Sequence, residues 1–189
     1  MPTPSAHDAQ YLLGLYLNDH LAGSSAGVEL LKRAAKSHHG RPFGPQLERL
    51  AREVAQDRES LKEIMRSLDV SERRSRAALG WLGEKAGRLK LNGRLFSRSP
   101  LSDVLELEGM RLGVQGKRSG WLTLRILAET DDRIDTAQLA RLLERAEEQA
   151  ETLEELRTRC AVRTFVPGRA GPARKAGPAK GHSLPRGAF

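Results

Sequence analysis

Residues 45–68 read PQLERLAREVAQDRESLKEIMRSL, and they decide the fold class. Leu47, Leu50, Val54, Leu61, Ile64 and Leu68 recur along one stripe, and Asp57 is its single polar member. The steps alternate three and four residues, the period of one helix face rather than the two-residue period of a strand. Glu, Arg and Lys fill the positions between. A stripe this regular has to be covered by other helices.

The rest of the chain supplies them. A second clean seam runs Leu139, Leu142, Ala146, Gln149, Leu153, Leu156, Cys160, again with one polar member. Its start is marked by Asp135 as N-cap and Gln138 three residues on, with Ile134 and Leu139 placed as a hydrophobic staple. A first helix is expected from about Asp8 to Ser37, with inward stripe Leu13, Leu17, His20, Ser24, Gly27, Leu31 and with Asn18 on its polar face. His38-His39-Gly40-Arg41-Pro42 stops it. A third helix is expected to open at Ser99-Pro100 and run to about Ala128, with inward stripe Leu101, Leu105, Glu108, Leu112, Gln115, Ser119, Leu122, Ile126. Leucine occurs 29 times and isoleucine three, a balance that favours helix over strand.

Short links join the first helix to the second and the third to the fourth, so each pair is antiparallel. A long, partly helical crossover, 69–98, separates the pairs, with Ala78, Trp81, Leu82, Ala86 and Leu89 at helical spacing and Leu95 and Phe96 as apolar anchors. The expected fold is therefore all-α: a four-helix bundle running up-down-down-up over 8–165. Residues 1–7 are expected to fray, and 166–189 to form a disordered basic tail of Ala-Gly-Pro repeats. This layout resembles the ferritin-like bundles. The resemblance covers about 8–160 and is one of architecture. Those proteins carry Glu-x-x-His on two helices, and no such tetrad occurs here. Glu53-Val54-Ala55-Gln56 has Gln where His is needed. The resemblance thus implies a bundle without the metal ligands, and neither a metal nor a cofactor is expected.

The polar members of the seams form the candidate site: His20, Asp57, Glu108, Gln115 and Gln149. Counting from the turns puts Gln115, Gln149 and Asp57 at one height, with Ser24 about a turn away. One reading is a hydrogen-bonded layer that sets helix register, as a core Asn does in coiled coils. The other is a ligand cavity. Asp57 needs a donor in either case, and Arg111 is in position to be it. No serine or cysteine stands with a base at a recognisable spacing, and no phosphate loop appears, so an enzymatic role is not indicated. Gly109, Gly113, Gly116 and Gly120 read as a small-residue packing ridge.

The formal net charge is +8, carried by 32 basic against 24 acidic residues. It is not spread evenly. Residues 1–70 balance to zero, 71–98 carry +6, 99–160 carry −4 and 161–189 carry +6. Arg73, Arg74, Arg76, Lys85, Arg88, Lys90, Arg94 and Arg98 in the crossover, with Arg174, Lys175 and Lys180 in the tail, are the candidates for an anionic partner, either nucleic acid or an anionic membrane surface. The competing use of the crossover is to pack on the acidic face of the fourth helix. Aromatic residues at 4% offer no base-stacking platform. A homodimer or other protein partner through an exposed helix face also fits a bundle. No run is long enough to span a bilayer, and the N-terminus lacks the form of a signal peptide. The expected location is the cytoplasm, and 24 Arg to 8 Lys suits a GC-rich bacterial genome. The leading functional expectation is a non-enzymatic binding or scaffold bundle. A diverged ferritin-like metal or redox protein and an accessory protein for nucleic acid or membrane are the alternatives.

Overall fold

A computed structural model describes residues 5–73 and 100–166. They form four helices: α1 (Ala6–Ser37), α2 (Gly44–Ser67), α3 (Pro100–Leu127) and α4 (Thr136–Phe165). The described residues contain no strand. The expected crossover from 74 onward, Ser99 and the basic tail from 167 lie outside the described residues.

Helix ends follow from local chemistry. Ser5 caps α1 by accepting from the Asp8 N–H at 3.2 Å, so the helix starts two residues before the expected Asp8. Asp135 caps α4 by accepting from the Ala137 and Gln138 N–H groups at 2.8 and 3.1 Å. That satisfies two of the donors a helix start leaves orphaned. α2 has no side-chain cap. The link before it is tight instead, since a Cβ on Gly44 would stand 2.6 Å from the His38 carbonyl oxygen. The other end of α2 closes with the Val70 N–H on the Met65 carbonyl and the Asp69 N–H on that of Arg66. This is the Schellman pattern, with Asp69 at φ 54° where glycine is usual.

Cross-helix pairs set the directions. His20 lies against Gly120, Tyr16 Oη meets Thr123 Oγ1 at 3.0 Å, and His38 meets Asp103. Numbers rise on α1 as they fall on α3, so the two are antiparallel. α2 and α4 pair the same way, through Glu53 with Gln149 and Gln56 with Arg145. The bundle therefore runs up-down-down-up, with α1 beside α2 and α3, and α4 beside α3 and, more lightly, α2.

All seven members of the α2 seam are buried, Asp57 included, and so are all seven of α4. Two expected faces are corrected. On α3 the buried stripe is Val104, Leu107, Met110, Val114, Trp121 and Leu124, while Leu112 and Ile126 are each 68% exposed. The helix is rotated by roughly half a turn from the expected phase. It carries apolar residues at helical spacing on both faces, and the indole of Trp121 is the larger group to hide. On α1, Asn18 is buried rather than on the polar face. It donates to the Gly14 and Ser71 carbonyls at 2.8 and 3.1 Å and accepts from the Arg73 N–H at 2.6 Å. A polar residue so satisfied costs little to bury, and it ties the segment after α2 to α1. Among the described residues no helix is long and apolar enough to cross a membrane.

Candidate functional site

The centre of the bundle holds a polar cluster built by three helices. α2 supplies Asp57, only 1% exposed, with Glu53 one turn earlier. α4 supplies Gln149, also 1% exposed, and Arg145. α3 supplies Lys117. The Lys117 ammonium donates to Asp57 Oδ2 and to Gln149 Oε1. Gln149 Nε2 donates to Glu53 Oε2 at 3.2 Å and to Asp57 Oδ2 at 3.3 Å. Arg145 sets its guanidinium against Asp57 Oδ1, an ion-pair contact that lacks hydrogen-bond angles. It also donates to Gln56 at 3.4 Å. Burial pushes the Lys117 ammonium below its usual pKa, and the Asp57 carboxylate pulls the other way without cancelling it. The low dielectric that makes an unpaired charge costly here also strengthens each bond that is made.

This arrangement brings together two of the five expected site residues, Asp57 and Gln149. The other three lie elsewhere. Gln115 is exposed, because the rotation of α3 turns it outward. Glu108 is on the surface, 3.8 Å from Arg157. His20 packs between α1 and α3, edge-on to Tyr16 with ring centroids 4.5 Å apart. A Cβ on Gly120 would stand 3.1 Å from the His20 ring, so the glycine is what admits the imidazole. Burial lowers the His20 pKa, against an opposing pull from Asp19. Ser24 bonds only within its own helix, to the Leu21 carbonyl. The expected donor to Asp57, Arg111, instead pairs with Glu154 at 3.3 Å.

Lys117 was missed because lysine rarely enters a core unpaired. The signal was present. Lys117 sits two residues from Gln115, at the same height, on the opposite face of the same helix. Missed too was a second buried pair at one end of the bundle, where His38 Nε2 lies 3.3 Å from Asp103 Oδ1 and the Arg163 guanidinium reaches Asp103 Oδ2 at 3.9 Å. His38 reads in sequence as part of a helix stop, and nothing in its spacing marks it as interior. A cavity about the size of one water lies beside the pair, bounded by Ala34, Phe43, Leu47 and Met110.

No three His, Cys, Asp or Glu side chains among the described residues converge as metal ligands. An open groove between α2 and α4 leads to Gln149 and is rimmed by Glu53, Glu148, Glu151 and Glu155, with Arg49 beside Glu53 at 3.5 Å. Its sign is wrong for a polyanion. Of the residues expected to meet an anionic partner, only Arg73 is described. Its guanidinium lies over the Tyr11 ring at 5.9 Å. Arg74, Arg76, Lys85, Arg88, Lys90, Arg94, Arg98, Arg174, Lys175 and Lys180 lie outside the described residues. No protein-family model, curated protein or solved structure matches the chain.

Proposed function

We propose that the chain is a non-enzymatic cytoplasmic bundle that acts by binding a partner, with its central polar cluster serving to hold helix register. One observation carries this reading. Lys117 gives its ammonium to Asp57 and Gln149, and Gln149 gives its amide to Glu53 and Asp57. These donors are spent on acceptors within the cluster rather than aimed at a substrate. Cross-helix bonds of this kind are satisfied in one alignment of α2, α3 and α4, and a slip of one turn would strand the Asp57 charge.

The test is metal analysis of tag-free protein together with thermal shifts on adding iron or manganese. Less than ~0.1 metal per chain and no rise in Tm are expected, because a ligand that binds the folded state must raise its stability. Stoichiometric metal or a measured turnover would overturn the proposal.

A diverged ferritin-like protein is the second reading. It is supported by the up-down-down-up order and by two carboxylates, Glu53 and Asp57, sharing Gln149. Under it the Lys117 ammonium stands as the positive charge beside Asp57, and the same metal measurement decides.

A further inference from the structure

α2 and α4 carry one pattern. Gln46-Leu47-Glu48-Arg49-Leu50 returns as Gln138-Leu139-Ala140-Arg141-Leu142, and Glu59-Ser60-Leu61-Lys62-Glu63-Ile64 as Glu151-Thr152-Leu153-Glu154-Glu155-Leu156. Both pairs of segments stand 92 residues apart, and so do Asp57 and Gln149. α1 and α3 match at an offset of 93, where Gly23, Gly27, Leu31 and Ala35 meet Gly116, Gly120, Leu124 and Ala128. The offset changes because one residue fewer separates Leu124 from Leu139 than Leu31 from Leu47. Burial follows the same offset. Leu17, Leu21, Val28 and Leu31 map onto Met110, Val114, Trp121 and Leu124, and all eight are buried.

The contacts repeat as well. Arg145 meets Asp57, and Glu53 meets Gln149. Exchanging the two halves turns each of these contacts into the other, with Arg145 and Glu53 trading places. Asp57 and Gln149, themselves mates, meet directly at 3.3 Å and stand on either side of the exchange axis. On the other side of the bundle His20 packs on Gly120. Exchange turns that pair into Gly113 and Gly27, so the axis crosses α1 and α3 midway, beside Ser24 and Lys117. One twofold axis, perpendicular to the helices, thus relates α1–α2 to α3–α4 and runs through the polar layer. Ser24 is the mate of Lys117. Each fills the one polar place in its seam, between Leu21 and Val28 or between Val114 and Trp121, and each is half-buried. We propose that the bundle is one helical hairpin used twice, and that Ser24 is the second lysine position of the polar layer, left without its lysine.

Charge accounts for the difference between the mates. A fully twofold layer would hold two ammoniums and two carboxylates. Gln149 stands where the second carboxylate would be, so a second ammonium would enter the core short of a counter-charge, which is costly. Ser24 brings no charge, and its hydroxyl is satisfied by the Leu21 carbonyl at 2.7 Å. Lys117 bonds Asp57 and Gln149 together. Because those two are mates across the axis, an ammonium reaching in from position 24 of α1 would meet the same two groups with their roles exchanged. The layer therefore needs one ammonium, and either half of the chain can deliver it.

This inference rests on the register reading of the layer, and the two fail differently. Urea unfolding of the full chain, followed by circular dichroism, is the assay. Lys117→Met should lower the midpoint, and adding Ser24→Lys should restore most of it. Adding Ser25→Lys instead, one position off the seam, should not. If Lys117→Met alone does not fold, the double variant with Ser24→Lys should regain cooperative unfolding. A loss that Ser24→Lys leaves unrestored, or that Ser25→Lys restores equally, would overturn the proposal and leave the register reading standing. If Lys117→Met keeps the wild-type midpoint, the register reading fails, and a second background decides. Ser24→Lys should lower the midpoint of the wild type by crowding Lys117, and raise that of Gln149→Asp by completing a layer of two ammoniums and two carboxylates. A shift of the same sign in both backgrounds would overturn the proposal.

Discussion

Replacing Lys117 by Met removes the one cation that hydrogen-bonds Asp57 among the described residues. The two side chains are 12% and 1% exposed, so the carboxylate left behind cannot turn to water. Breaking a buried pair from one side costs about 3–5 kcal/mol. Arg145 still faces Asp57 Oδ1 and Gln149 still donates to Oδ2, which places the expected loss near ~3 kcal/mol. For a chain of this size that is a fall in Tm of about 6–12 °C. The double variant Asp57→Asn with Lys117→Met should behave differently. Burial lowers the Lys117 pKa more than Asp57 raises it, so the ammonium is held charged there at a cost. Removing both charges at near-constant volume should recover much of that loss, since only Arg145, 30% exposed, is left without its carboxylate. Urea unfolding followed by circular dichroism at neutral pH measures all four corners of the cycle. If Lys117→Met falls within ~0.5 kcal/mol of wild type, as a surface change would, or the double variant is as damaged as the single, the register reading is refuted.

Two further outcomes are expected at the α1–α3 crossing. Gly120→Ala should destabilise by ~1 kcal/mol despite alanine's better helix propensity, because its Cβ would press on the His20 ring. His20→Ala with Gly120→Ala should recover that loss in urea unfolding, and an unrecovered loss would show that the imidazole is not what the glycine admits. Acid should also loosen this crossing. The folded His20 has a pKa below its ordinary 6.5, so as pH falls the unfolded chain takes up the proton first. The contribution is complete above 6.5 and is lost as pH falls through that value toward the folded pKa. Urea midpoints at about pH 7.5 and about pH 5.5 should differ more for wild type than for His20→Gln.

Much of this molecule is legible in its sequence. Asp57 and Gln149 each break an otherwise apolar seam at the same height, and the short links make α1 antiparallel to α2 and α3 antiparallel to α4. α2 and α4 each have a single apolar face, so only one orientation hides it. The two short links and the one long connection fit the order up-down-down-up, and the pairs across α1–α3 and α2–α4 fix it.

α3 is the reverse case. Val104, Leu107, Val114 and Trp121 fall on one side, and Leu101, Leu105, Leu112 and Ile126 on the other, each set at helical spacing. Burial of either would lower the free energy of the helix, so the sequence of α3 by itself leaves the choice open. Tertiary contacts made it: Gly120 admits the His20 ring, and Lys117 lands on Asp57 and Gln149. With that phase chosen, Gln115 and Glu108 turn away from the interior, Arg111 goes to Glu154, and the second stripe of α3 is left facing solvent. A periodic pattern determines that a helix has a face to bury, whereas the shapes and charges of its neighbours determine which of two such faces goes inside.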